Sequence, residues 1–230
     1  MPRDFLALIP ARGGSQGVPR KNLELVAGRS LLERAIESVN GVNKIGLCYV
    51  SSDDHQILEL AHRHGAIAIR RKESAASNSA RAHEVVGDFL EQLPEVNDET
   101  VIVYLQPTSP FRTARRVAEA VAAYETQQGE SLVSVARSHQ LPEKTLDISP
   151  SGLLELSPAA HDPGMNRQDF PTRVYPNGAI YIFSVSTFRR VGDIPIVGAI
   201  PFMMNKVESL DIDDVEDLIL ARGVASYAGI

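Results

Sequence analysis

A chain of 230 residues with 43% hydrophobic residues and a formal net charge of −6 has material for one substantial globular domain, and its charge balance gives no pull toward nucleic acid or an anionic membrane. A single cysteine, Cys48, excludes an internal disulfide or a cysteine-built zinc site, and no apolar run approaches the ~18 residues of a membrane span. The opening "MPRDFLALIPARGG" lacks the apolar core and small-residue cleavage site of a signal peptide, so a cytoplasmic location is the expectation.

The first predicted element is a strand over "DFLALI" (4–9). A helix follows over 31–39, then a strand "IGLCYVS" (45–51), a helix 54–63 and a strand "AIAIR" (66–70). Next come a helix over 81–93, a strand "TVIVYLQ" (100–106), a helix 113–124 and a strand "SLVSVAR" (131–137). Aliphatic strands alternating with amphipathic helices predict an α/β fold with a doubly wound, mostly parallel sheet, and in such folds ligands sit beyond the carboxyl ends of the strands. From 139 to 176 the periodicity disappears and prolines 142, 150, 158, 163, 171 and 176 punctuate a polar stretch, which reads as an inserted arm within one domain spanning 1–230. The pattern resumes with a strand "GAIYIF" (178–183), a short helix 184–190, a strand "AIPFMM" (199–204) and a last helix from about Asp213.

Ser30-Leu31-Leu32-Glu33 fits a capping box, which starts the first helix at Leu31. About 20 residues then separate strand one from helix one, where ordinary strand-to-helix connections need about 2 to 6. That excess is "IPARGGSQGVPRKN" (9–22), whose glycines fit neither the dinucleotide fingerprint nor the P-loop spacing. Glycines let backbone amides approach an anion, and Arg12, Arg20 and Lys21 supply the charge that a triphosphate requires.

Three further stretches carry chemistry or its imitation. "LQPTSPFR" (105–112) leaves a strand through a proline-fixed turn that can aim Gln106 and backbone amides at a ligand, with Thr113 as helix N-cap. Asp211 and Asp213 alternate in an extended segment, so both carboxylates fall on one side, a pair of hard oxygen ligands suited to Mg²⁺ with phosphate oxygens and water; the cluster Asp213, Asp214, Glu216 and Asp217 equally suits a helix start. Asp53 and Asp54 read as helix caps, and the six histidines show no metal-ligand spacing.

"IPARGGSQGVPRKN" resembles the amino-terminal signature of the CMP-sialic acid synthetase family, cytidylyltransferases for nine-carbon acidic sugars. "YLQPTSPFR", "NRQDFP" (166–171), "NGAIYIF" (177–183) and "ESLDIDDVEDL" (208–218) resemble its later motifs in the same order. The resemblance implies a Rossmann-like nucleotidyltransferase that joins CTP to a 2-keto nonulosonic acid, releasing pyrophosphate, with Mg²⁺ and as a homodimer pairing through the arm at 139–176. It assigns nucleotide and phosphate binding to Arg12, Gly13, Ser15, Lys21, Asn22 and Arg71, with Arg70 in a competing register. Catalysis falls to Lys21, Arg12 and Asp211, and metal binding to Asp211 and Asp213. Sugar contacts fall to Gln106, Thr108, Ser109, Lys144, Arg167, Asn177 and Tyr181, with Arg173 a further candidate for the sugar carboxylate. The chain departs from relatives at Lys72, Asn78, Tyr175, Ile194 and Pro195. The alternatives are a Kdo cytidylyltransferase, a sugar-1-phosphate nucleotidyltransferase, or a catalytically silent nucleotide-binding relative.

Overall fold

The computed structural model describes residues 4–15, 17–72, 75, 81–127, 129–138, 140–160, 164, 166, 168 and 170–229. Its main sheet contains β1 (Phe5–Pro10), β4 (Ile45–Ser52), β5 (Ile67–Arg70), β6 (Val101–Tyr104), β7 (Ser131–Arg137), β10 (Val174–Ser184) and β11 (Ile200–Met203). The strand order is β11-β7-β10-β6-β1-β4-β5. β10 runs antiparallel to both neighbours, β6 and β7, while the other pairings are parallel. The doubly wound, mostly parallel sheet predicted from the sequence is therefore what the chain forms.

β1 lies at the point where the winding reverses. The chain moves outward from β1 to β4 and β5, then returns to place β6 on the other side of β1. Such a reversal opens a crevice at the carboxyl ends of the central strands. Leu8 pairs with Tyr49 on one side and Tyr104 on the other, so the segments following β1, β4 and β6 emerge side by side.

Successive β1 residues feed opposite faces of the sheet, as the two-residue period requires. Phe5, Ala7 and Ile9 pack with α1 (Leu31–Glu37), α2 (His55–Arg63) and α4 (Ala114–Gln127) through Leu32, Ile36, Ile57, Val117 and Tyr124. Leu6 and Leu8 pack with α3 (Ala82–Gln92) and α5 (Val185–Val191) through Val86, Phe89 and Phe188. Each fully buried Leu, Ile or Phe contributes roughly 1.5–3 kcal/mol by leaving water, so a strand buried on both faces is an unyielding floor for a site.

A third cluster fixes the site's rim. α6 (Val215–Ala228) packs Leu218, Ala221 and Ala225 against Val18 of the opening loop, Phe111 of the "LQPTSPFR" turn and Ile212. One helix thereby clamps three functional segments.

The expected helix starts are present. Ser30 Oγ accepts from Glu33 N at 3.2 Å and Glu33 Oε2 accepts from Ser30 N at 2.6 Å, the reciprocal capping box. Thr113 Oγ1 accepts from Arg116 N at 3.3 Å at the head of α4. Asp214 caps α6, accepting from Asp217 N at 2.9 Å, while Asp217 accepts from the amides of Asp213 and Asp214. The acidic cluster thus divides its labour: Asp214 and Asp217 stabilise the helix, and the carboxylates of Asp211 and Asp213 line the crevice.

Periodicity alone did not reveal the two small ribbons. β2 (Leu25–Val26) and β3 (Arg29–Ser30) join through Ala27 and Gly28, both at positive φ (50° and 76°), inside the long first connection. β8 (Leu146–Ile148) and β9 (Leu154–Leu156) form a hairpin inside the stretch read as an arm, with Ile148, Leu153 and Leu154 exposed at 70% or more. β10 also starts earlier than its apolar run, because Val174, Tyr175 and Pro176 continue the ladder with β7 as the root of that arm. Among the described residues no helix is long and apolar enough to cross a membrane.

Candidate active site

A cleft of about 280 Å³ opens at the crevice, lined by Pro10, Arg12, Ser15, Lys21, Asn22, Arg71, Ala82, Val85, Tyr104, Gln106, Pro107, Thr108, Asp211 and Asp213. Nine residues singled out from the sequence meet there: Arg12, Ser15, Lys21, Asn22, Arg71, Gln106, Thr108, Asp211 and Asp213. They come from stretches some 200 positions apart along the chain, which only the fold could join.

The opening loop is stapled from several sides. Asn22, buried at the start of a 3-10 turn over Lys21–Leu23, donates its Nδ2 to the Arg12 carbonyl at 2.9 Å. Asp53 Oδ1 accepts from Gly13 N at 2.8 Å. The two aspartates that both read as helix caps therefore have different tasks: Asp54 caps α2 by accepting from Gln56 N and Ile57 N, whereas Asp53 holds the loop. Gly17 is obligatory on space alone, since a Cβ there would stand 2.1 Å from the Asp213 carbonyl oxygen. The loop thus lies directly on the segment carrying the paired carboxylates.

Charge in the cleft is arranged in two groups. Lys21 Nζ donates to Asp213 Oδ1 at 3.1 Å. Arg71 is buried and anchored to the end of β4, its Nε donating to Ser51 Oγ at 3.1 Å and a terminal nitrogen to the Ser51 carbonyl at 2.8 Å. Arg70 is exposed and outside the cleft lining, whereas Arg71 lines it. Burial pulls the Arg71 guanidinium below its ordinary pKa, with Tyr104 and Asp53 holding it up and Arg12 adding repulsion. A negatively charged ligand would relieve that repulsion.

Asp211 provides the opposite charge. Burial pushes its carboxyl above the usual range; a hydrogen bond with Thr108 and the charge of Lys21 work against that, and Asp213 adds to it. Its Oδ1 is buried without a hydrogen-bond partner. A buried, unpartnered carboxylate oxygen costs about 1–3 kcal/mol, so its position at the cleft suits a cationic ligand. Among the described residues no group of three or more His, Cys, Asp or Glu is placed to hold a metal, so a cation here would draw further ligands from substrate or water.

Gln106 lies over Gly178, where φ is +79° and a Cβ would stand 2.5 Å from Gln106 Oε1. Glycine is needed there for both conformation and space.

Other residues singled out from the sequence lie outside the lining. Ser109 is buried with its Oγ unpartnered. Asn177 is buried and fully engaged, accepting from Ser134 Oγ at 2.5 Å and donating to Ser209 Oγ at 2.9 Å, which makes it a support beneath the cleft. Tyr181 stacks edge-on with Tyr104 at 6.2 Å, with its phenol pKa raised by burial and by Asp211. Lys144 sits in a 3-10 turn of the arm, and Arg173 is ion-paired with buried Glu143. Arg167 and Asn78 lie outside the described residues.

Sequence reasoning passed over Tyr104, Ala82 and Val85, which form an apolar wall beside Arg71. They read as core positions of a strand and a helix, and only the topology exposes one edge of them to the cleft.

Residues 6–170 match the family model described as Cytidylyltransferase. The chain is 31% identical over 223 residues to a CMP-N,N'-diacetyllegionaminic acid synthase of Legionella pneumophila, covering 95% of this chain and 94% of that protein. It is 29% identical over 220 residues to an N-acylneuraminate cytidylyltransferase of Streptococcus agalactiae and 31% over 221 residues to one of Escherichia coli. The chain spans about half the length of those two relatives, 52% and 51%. Its fold is similar to a solved CMP:2-keto-3-deoxy-manno-octonic acid synthetase complexed with CTP, with a TM-score of 0.70 at 15% identity and coverage of 97% of this chain and 99% of the other.

Proposed function

Because the chain belongs to the cytidylyltransferase family, we propose that this cleft joins CTP to a nine-carbon 2-keto acidic sugar, giving the CMP-sugar and pyrophosphate. The observation that carries the reading is the convergence of Arg12, Lys21 and Arg71 on the same cleft as Asp211 and Asp213.

In the reaction the anomeric hydroxyl of the sugar attacks the α-phosphorus of CTP in line. An oxygen–phosphorus bond forms, the bond from the α-phosphorus to the bridging oxygen breaks, and the hydroxyl proton passes to solvent. Pyrophosphate gathers charge as it leaves, and Lys21 and Arg12 are positioned by the stapled loop to stabilise it, with Gly13 and Ser15 contributing from the same loop. Arg71 and the wall of Tyr104, Ala82 and Val85 hold the nucleotide. Gln106 and Thr108 face the sugar from the turn, with Ser109, Asn177 and Tyr181 behind them. Lys144 and Arg167 of the arm meet the sugar carboxylate.

Asp211 and Asp213 would hold Mg²⁺, the unpartnered Oδ1 of Asp211 being the observation that fits it. Such an ion supplies charge neutralisation at phosphate and acidifies a bound hydroxyl. No side chain of the cleft stands out as a general base.

We read the apolar hairpin β8–β9 as the place where a second copy pairs, giving a homodimer, and the enzyme as cytoplasmic. The test is transfer of label: with CTP labelled at the α-phosphate, radioactivity must pass into an acid-labile CMP-sugar when a nonulosonic acid is supplied. Labelled CMP or unchanged CTP alone would reject the reading.

A further inference from the structure

Arg112 closes "LQPTSPFR", yet it is not among the residues lining the cleft. It is buried, with 4% of its surface exposed. Its Nε donates to Ser38 Oγ at the end of α1 at 3.1 Å, and one terminal nitrogen donates to two carbonyls, that of Gln106 at 2.8 Å and that of Ala179 at 2.9 Å. Of these two residues Gln106 lines the cleft and Ala179 is buried behind it. Gln106 begins the proline-fixed turn, and Ala179 follows Gly178, on which the Gln106 side chain lies.

The turn held in this way carries the neighbouring segment. The Thr108 carbonyl accepts from Ile212 N at 3.0 Å, which ties the turn to the residue beside Asp211. Bonds therefore run from Arg112 to the Gln106 carbonyl and, two residues on in the same turn, from Ile212 N to the Thr108 carbonyl, while none of the hydrogen bonds of Arg112 reaches the opening loop or Arg71. A buried arginine is costly unless its donors are used; Nε and Nη1 are engaged while Nη2 has no partner among the described residues, and the planar fork joins three elements where a lysine ammonium could not match the geometry.

We infer that Arg112 is a positioning residue for the sugar half of the cleft: it clamps the Gln106 and Ala179 carbonyls so that Gln106 and Thr108 keep their places, and leaves the nucleotide half alone. This inference rests on the proposed function for its kinetic readout.

The experiment compares wild type with Arg112→Met and Arg112→Lys in steady-state pyrophosphate release, varying CTP and sugar separately. Arg112→Met should lower kcat by about 10²-fold and raise the sugar KM about tenfold, the size expected of a displaced reacting group, while the CTP KM changes less than about threefold. Arg112→Lys should recover part of kcat with the same split. Ser38→Ala, which removes the Nε acceptor and the Ser38 Oγ bond to the Ala35 carbonyl but leaves both Nη1 bonds, carries the test at smaller amplitude if Arg112→Met does not fold. Equal rises in both KM values, or a kcat within about threefold of wild type in Arg112→Met, overturn the inference. Amide hydrogen exchange separates this from failure of the functional reading: 106–112 and 178–180 should exchange faster in Arg112→Met while 12–22 stay unchanged, even if wild type turns over no sugar. Uniformly faster exchange would likewise count against it.

Discussion

Lys21 Nζ lies 3.1 Å from Asp213 Oδ1, joining the opening loop to a carboxylate segment 192 positions later. The pair holds the Lys21 cation in the cleft beside Asp211, and its geometry has a distinct energetic signature. Asp213 is 79% exposed, so as an ion pair the contact contributes little to stability, about 0–1 kcal/mol.

Lys21→Met should therefore fold like wild type, with a melting temperature changed by no more than about 2–4 °C. Its kcat for pyrophosphate release should fall about 10²–10³-fold, the loss typical of a donor to developing negative charge. Thermal unfolding and steady-state kinetics on one preparation check both halves.

Asp211→Asn should be inactive yet more stable without ligand. Burial raises the folded-state pKa of Asp211 above its unfolded value, so the charged carboxylate costs stability at neutral pH. The advantage of asparagine should be greatest near pH 7, shrink as pH falls through the folded pKa, and vanish below the unfolded value of about 3.9. Melting curves across pH should show a gain of about 2–4 °C at neutrality, corresponding to roughly 1 kcal/mol.

Gly178→Ala should cost both stability and sugar use. A side chain there meets an unfavourable positive φ, about 1–2 kcal/mol, and the Gln106 amide at 2.5 Å. Gly223→Ala, in α6 with nothing within 4 Å of the new Cβ, should instead stabilise by about 0.5–1 kcal/mol and leave kinetics unchanged. Chemical denaturation and the sugar KM distinguish the two glycines.

Ile148→Asp combined with Leu154→Asp should yield a monomer by analytical ultracentrifugation. These side chains are 76% and 70% exposed on the β8–β9 hairpin, and charges there would be desolvated in a paired state. A dimer unchanged in mass would move the pairing surface elsewhere.

The parts of this protein legible in its sequence are those set by local chemistry. Ser30 and Glu33 announced the first helix because a capping box is a short-range bond, and β1 and β6 announced themselves as continuous apolar runs buried on both faces, β4 as an apolar run buried over its second half. Excess length and glycine in the first connection pointed to Arg12, Arg20 and Lys21 for the same local reason, and of these Arg12 and Lys21 line the cleft. What depended on distant partners was not legible. Nothing near Asp53 in sequence says that it bonds Gly13 while Asp54 caps the helix, and nothing near Tyr104 says that a strand residue between two others borders a cleft. Asn177 belonged to a recognisable motif, but the network through Ser134 and Ser209 that occupies it joins three separate elements. The hairpin β8–β9 escaped periodicity because its apolar residues point into solvent, where no core imposes alternation.

Pyrophosphate release from CTP, measured against nonulosonic acids including N-acetylneuraminic and diacetyllegionaminic acids and against Kdo, with and without Mg²⁺, tests the central claim most directly. The account predicts metal-dependent release with a nine-carbon acid and little with Kdo. Release that is fastest with Kdo, or none with any acid while CTP still binds, would contradict it.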